Sequence, residues 1–143
     1  MMKVKLDNGA FIPTRAHEED AGLDIKTPIA FTIRGCNIMD GAGKAVIRTG
    51  VHVEISKGYV GFLKAKSGLN VKHNIYGEGV IDASYTGEIV VKLYNNGDAP
   101  YHFNVGDKII QLVILPIITP EIEVVDELED TERGDNGFGS TGK

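Results

Sequence analysis

The chain has 143 residues, 42% of them hydrophobic and 24% charged, with a net charge of −5, which is room for one domain with one main core and an ordinary composition for a soluble globular protein. Its acidic balance, without any basic stripe, argues against nucleic acid as a partner, and any phosphate ligand would need local donors and a cation. The single cysteine, Cys36, excludes an internal disulfide; no apolar run approaches the ~20 residues of a membrane span, and the first residues lack a signal-peptide core, so no membrane partner and a cytoplasmic location are expected.

Strand signals dominate from the N-terminus onward. The 18 glycines are far above the usual ~7% share and favour many turns between short elements. Ala21-Gly22-Leu23-Asp24 sets an aspartate beside a glycine. Val51, Val53 and Ile55 alternate with His52, Glu54 and Ser56, the period of a half-buried strand. Lys66-Ser67-Gly68 follows, offering a cation, a hydroxyl and exposed backbone amides. These suit phosphate oxygens, although Lys-Ser-Gly alone is a common surface turn. Ser67 is placed to cap a short helix through Leu69, Val71 and His73.

Gly79-Val80-Ile81-Asp82-Ala83-Ser84-Tyr85-Thr86-Gly87 reads as a hairpin that holds a carboxylate close to an aromatic ring. Ile89, Val91 and Leu93 then alternate with Val90, Lys92 and Tyr94, and Asn95-Asn96-Gly97-Asp98 supplies a turn. Gly106-Asp107-Lys108 leads into Ile109 to Leu115, an apolar run expected to be a strand buried on both faces. Gln111 interrupts that run, and a buried amide needs partners. After Val125 comes an acidic run and then a glycine-rich tail containing Arg133, Phe138, Ser140 and Thr141. Such a tail has little to bury and should be mobile alone, yet an arginine and a phenylalanine among glycines look like anchors on a strap. The four histidines show no zinc-ligand spacing. Many short strands with regular turns imply a sandwich, jelly roll or barrel.

Taken in order, AGLDI, AKSGLN, GVIDASYTG, GDKIIQL and RGDNGFGSTG resemble the five motifs of the homotrimeric dUTPase family, over residues 3 to 143. The resemblance implies an all-β, jelly-roll-like distorted β-barrel over residues 1–125 and a flexible C-terminal arm over 126–143. It implies a homotrimer with shared active sites that hydrolyses dUTP to dUMP and pyrophosphate with Mg²⁺ as cofactor. Asp82 would orient and deprotonate the water that attacks the α-phosphorus. Tyr85 would lie against the deoxyribose and leave no space for a 2′-hydroxyl. Gly79, Val80 and Ile81 would read uracil. Lys66, Ser67 and Gly68 would hold phosphates, and Gln111 would contact the α-phosphate region. Asp24 would support Mg²⁺ through its water shell, the ion itself being held mainly by the phosphates. Arg133, Phe138, Gly139, Ser140 and Thr141 would close over the substrate.

Two departures from the family pattern stand out. Lys66 occupies a place usually held by arginine, which exchanges a bidentate fork for a point charge. The stretch between Ser67 and Asp82 is also short. The related dCTP deaminases share the fold and use a glutamate in the following strand; the matching position here is Lys92, which cannot serve as that carboxylate. A nucleotide-binding regulatory protein of the same fold is the other alternative, against which the retention of Asp24, Asp82 and Tyr85 argues.

Overall fold

In the computed structural model, which describes residues 2–135, ten strands and one short helix follow one another. The strands are β1 (Lys3–Leu6), β2 (Gly22–Lys26), β3 (Phe31–Ile33), β4 (Gly43–Glu54) and β5 (Tyr59–Lys64), then β6 (Ile75–Tyr76), β7 (Glu78–Ile81), β8 (Glu88–Asn95), β9 (Tyr101–Phe103) and β10 (Lys108–Pro116). The helix α1 (Ser67–His73) lies between β5 and β6. One antiparallel sheet has the order β1-β4-β8-β6 and the other β2-β10-β5-β7; β3 and β9 form a separate ribbon. Ile47, Val51 and Val91 from the first sheet, Ile25, Leu63 and Leu112 from the second, and Phe103 from the ribbon belong to one core cluster. The fold is therefore the expected jelly-roll-like all-β arrangement. Its sheets stay open rather than closing on themselves as a barrel, and the two layers pack through their apolar faces.

Alternation places the core as the sequence suggests. Val51, Val53 and Ile55 are buried, and Ile89, Val91 and Leu93 are buried while Val90 and Lys92 face outward. The continuous apolar run of β10 has a different cause from burial along its whole length. The β2–β10 register slips between Lys108 and Ile110, so Ile109 is an extra residue. This bulge turns Ile109 and Ile110 both inward, each fully buried. Beyond Leu112 the strand emerges, and Leu115 is 45% exposed.

Two local expectations change. Ser67 is the first residue of α1 rather than its cap: Lys66 occupies the cap position in an extended conformation, and no side chain caps the helix. The stretch 79–87 is not a hairpin either. β7 pairs with β5 in one sheet and β8 pairs with β4 and β6 in the other, so residues 82–87 form a loop crossing between the layers. The burial of Ile81 against one layer and Ile89 against the other explains the crossing.

Candidate functional site

The crossing loop carries the first group of chemical side chains. Asp82 and Tyr85 are both exposed. They line a cavity of about 240 Å³ together with Val80, Ile81, Glu88 and Val90. The amide of Tyr85 donates to the carbonyl of Asp82 at 3.0 Å, closing a turn that brings ring and carboxylate to the same side. The Tyr85 hydroxyl donates to the carbonyl of Glu88 at 2.8 Å. Gly87 makes this ring position possible: a Cβ there would stand 2.6 Å from the phenol. The carboxylate of Glu88 braces the base of the loop, accepting from the Gly50 amide at 2.9 Å and from Arg48 Nε at 2.7 Å. The Arg48 guanidinium holds the Glu88 carboxyl below the usual carboxylate range.

A second group gathers where β2, β5 and β10 lie side by side. Asp24 pairs in register with Gln111, and Gln111 with Lys64. The Asp24 side chain is only 2% exposed. One of its oxygens lies 2.5 Å from Lys66 Nζ and 3.3 Å from Gln111 Nε2; the other lies 2.6 Å from Lys108 Nζ. Burial pushes the Asp24 carboxyl up, but the hydrogen bonds and charges of Lys108 and Lys66 together outweigh it and hold the group below its ordinary 3.8. The bulge at Ile109 is what aims Lys108 at Asp24, since it rotates the strand start away from strict alternation. Gly22 leaves the space filled by Gln111, whose side chain would lie 3.0 Å from a Cβ there.

Beyond this network, Ser67 and Gly68 lie exposed on the first turn of α1. Helix geometry leaves the amides of such a first turn without intrahelical acceptors. A cavity of about 580 Å³ opens beside them, lined by Lys26, Lys66, Gly68, Lys72 and Lys108 among others. Cations, a hydroxyl and free amides around an open cavity suit a polyanion such as an extended phosphate chain.

The acid-sensitive part of this network is Asp24, and its variant Asp24→Asn gives a test. The change leaves two lysines sharing a neutral amide in a nearly closed site. The lysines are partly exposed and recover some hydration, so a loss of about 1–3 kcal/mol is expected. A carboxyl held low stabilises fully above its ordinary value and loses that contribution as the pH falls through the folded value. Thermal melts of parent and variant should therefore differ at neutral pH and converge in acid. Equal gaps at both pH values would show that the charge is not the stabilising element.

Within one chain the two groups stand apart. Ile81 pairs with Gly61, which sets Asp82 beside Val60, six residues before Lys66 along an extended stretch. At ~3.3 Å per residue this is a separation of ~20 Å. The two cavities share no lining residue. Arg133 lies in the turn Thr131–Gly134. Phe138, Gly139, Ser140 and Thr141 lie outside the described residues. Lys92 points outward with its ammonium 5.1 Å from the Tyr94 ring centre. Lys108 and Glu88 carry no role in the sequence reading. A lysine beside the bulge-forming run Ile109-Ile110 was the available signal for the first; nothing local marks the second.

Comparison with known proteins identifies the family. The family model described as dUTPase matches residues 8–142. The deoxyuridine 5′-triphosphate nucleotidohydrolase of Arabidopsis thaliana is 41% identical over 139 residues, covering 96% of this chain and 80% of the relative. That of Swinepox virus is 39% identical over 140 residues, covering 97% and 94%. Among solved structures, the dUTPase of Staphylococcus bacteriophage 80alpha with dUPNHPP superposes with a TM-score of 0.89 at 34% identity, covering 100% of this chain and 99% of that one. With a family match over nearly the whole length and relatives near 40% identity, the chain belongs to the dUTPase family.

Proposed function

We infer that this protein hydrolyses dUTP to dUMP and pyrophosphate. The observation that carries the reading is the cavity in which the exposed carboxylate of Asp82 and the ring of Tyr85 face one space, in a chain whose relatives are named for that reaction. Asp82 would accept a proton from the attacking water as its oxygen bonds to the α-phosphorus and the bond to the pyrophosphate oxygen breaks. Ser67, Gly68, Lys66 and Gln111 would hold and neutralise the phosphates. Gly79, Val80 and Ile81, on the strand leading to Asp82, would face the base. Arg133, Phe138, Gly139, Ser140 and Thr141 belong to the arm, residues 126–143, proposed to close over a site built on the body, residues 1–125. Pyrophosphate release from dUTP, measured beside dTTP, dCTP and UTP, tests the reading. Preference for dUTP is the expected result; equal rates on all four would overturn it.

The relation of Mg²⁺ to Asp24 needs a physical decision. Both Asp24 oxygens already face ammonium groups. A hydrated ion would reach this carboxylate only by displacing a lysine, so Asp24 does not fit as a magnesium support in this arrangement. We assign it instead to orienting Lys66 and Lys108. Among the described residues no three His, Cys, Asp or Glu side chains gather as a metal site. A Mg²⁺ bound with the substrate would take its ligands from phosphate oxygens and water, where it would supply charge neutralisation.

The proposed assembly is a homotrimer whose sites combine residues of neighbouring subunits. The ~20 Å between Asp82 and Lys66 supports sharing. So do the end of β10 and the segment after it: Leu115 and Ile117 are 45% and 41% exposed, and Ile118, Ile122 and Val124 are each at least 90% exposed. Val113 lies partly buried on the same strand. Apolar side chains at that density on an extended strap need a surface to cover. No described helix is long and apolar enough to cross a membrane, and a cytoplasmic location is proposed.

Sugar selection is assigned to Tyr85. Its ring is held at the cavity by the hydroxyl bond to Glu88 and by the space above Gly87. It excludes a 2′-hydroxyl by volume alone. Tyr85→Ala should therefore raise kcat/KM for UTP relative to dUTP by about tenfold or more, the discrimination typical of a single steric contact. An unchanged ratio would remove Tyr85 from this role.

A further inference from the structure

Outside the five motifs, one side chain ties the crossing loop to the opposite side of its sheet. His52 lies on β4, in register with Lys5 of β1 and Glu88 of β8. Its ring is 17% exposed. Nδ1 lies 3.1 Å from the carbonyl oxygen of Thr86, and Nε2 lies 3.1 Å from Oδ2 of Asp7. Thr86 stands between Tyr85 and Gly87 in the loop that carries Asp82.

A peptide carbonyl can only accept a hydrogen bond, and so can an ionised carboxylate. Each contact is thus a hydrogen bond only when the facing nitrogen carries a proton. A neutral imidazole has one such proton, so the two bonds exist together only in the imidazolium. The backbone is shaped for this placement. The β4–β8 register slips between Arg48 and His52, with Gly50 at φ 67° inside the slip. Only glycine takes that conformation without strain. The slip adds two residues to β4 between Arg48 and His52, so that His52 stands opposite Glu88, two residues from Thr86.

We propose that His52 is a positioning residue: as the imidazolium it ties the Thr86 carbonyl to Asp7, and on losing a proton it keeps the one facing the Asp7 carboxylate and frees the Thr86 carbonyl, so that the placement of Tyr85 and Asp82 depends on pH near neutrality. The surrounding charges are Lys5 and Asp7 from β1 and the turn after it, Arg48 on β4 and Glu88 on β8. Lys5 Nζ lies 3.5 Å from Asp7 and opposes the imidazolium, while Glu88 is engaged by Arg48. Asp7 first, and then the Thr86 carbonyl, hold the imidazole's proton and raise its pKa above the ordinary 6.5; the same bond lowers that of Asp7. A raised value means that the tie is complete below 6.5 and is lost as the pH rises through the folded pKa.

The kinetic arm of the test rests on the dUTP reading; the spectroscopic arm does not. In the first, kcat/KM for dUTP is followed from about pH 6 to about pH 9, across the titration range of a histidine. His52→Asn keeps an amide donor near the place of Nδ1, facing Thr86, and cannot titrate. His52→Gln reaches toward the place of Nε2 and Asp7 only. Relative to His52→Asn, the parent should fall about twofold to tenfold across the window, the equivalent of one net hydrogen bond. His52→Asn should hold the parent's acid-side level and His52→Gln its alkaline-side level. Asp7→Asn should move the parent's midpoint to lower pH, which a purely structural role would not do. In the second arm, ring ¹⁵N shifts should show both nitrogens protonated at the acid end, with the Thr86 and Gly87 amides titrating at the same midpoint. A ring carrying a single proton there, a fall that persists in both His52 variants, or a midpoint indifferent to Asp7→Asn would each overturn the proposal. A parent chain inactive on dUTP would defeat the functional reading alone, and the ¹⁵N titration would still decide the tie.

Discussion

Asp82→Asn is expected to fold and bind dUTP like the parent but to turn over at least ~100-fold more slowly, the usual scale for loss of a general base. The amide is nearly isosteric, so the cavity with Val80, Ile81 and Tyr85 keeps its shape. What goes is the ability to take a proton. Glu88, the other carboxylate at this cavity, cannot substitute: its two oxygens are engaged by Arg48 and by the Gly50 amide. Binding of a non-hydrolysable dUTP analogue by calorimetry, with single-turnover rates alongside, separates the two effects. A variant that binds and also turns over near the parent rate would place the base elsewhere.

The legibility of the site follows from what each feature depends on. Asp82, Tyr85 and Lys66-Ser67-Gly68 are visible in the sequence because local glycines and hydroxyls mark the turns that expose them. The core was legible for the same kind of reason, as Val51, Val53, Ile89 and Val91 obey a two-residue period that burial enforces. The hairpin expected at 79–87 failed because periodicity reports which faces are buried, not which strand pairs with which; β7 and β8 belong to different sheets. Lys108 escaped notice because a bulge changes where a side chain points, and a bulge at the apolar pair Ile109-Ile110 leaves no alternation to read there. The ties at His52 and Glu88 join residues more than thirty positions apart. Such pairings exist only once the sheets are assembled.

Mixing two inactive variants should restore activity, and this is the outcome that most directly separates a shared site from one built within a chain. The first variant is Asp82→Asn, which keeps the phosphate-holding group. The second is Lys66→Ala with Ser67→Ala, which keeps Asp82 but removes a cation and a hydroxyl from the entrance to α1. Alone, each should be nearly inactive, the second through lost charge neutralisation and positioning. In one chain Asp82 and Lys66 are ~20 Å apart, too far for one carboxylate and one ammonium to act on the same phosphorus. If instead the Asp82 loop of one subunit faces the α1 entrance of another, a mixed trimer contains sites that pair an intact Asp82 from the second variant with an intact Lys66 and Ser67 from the first. Such a site has the full set of groups and should run at the parent rate. With equal subunits mixed at random, roughly a quarter of the interfaces would combine the two intact halves, so recovery of about a quarter of parent activity is expected, against at most a few per cent for either variant. Subunit exchange must be shown independently, for instance by mass spectrometry of differently tagged chains. Exchange without recovered activity would mean that each chain completes its own site, and the ~20 Å gap would then have to close by a movement within the subunit.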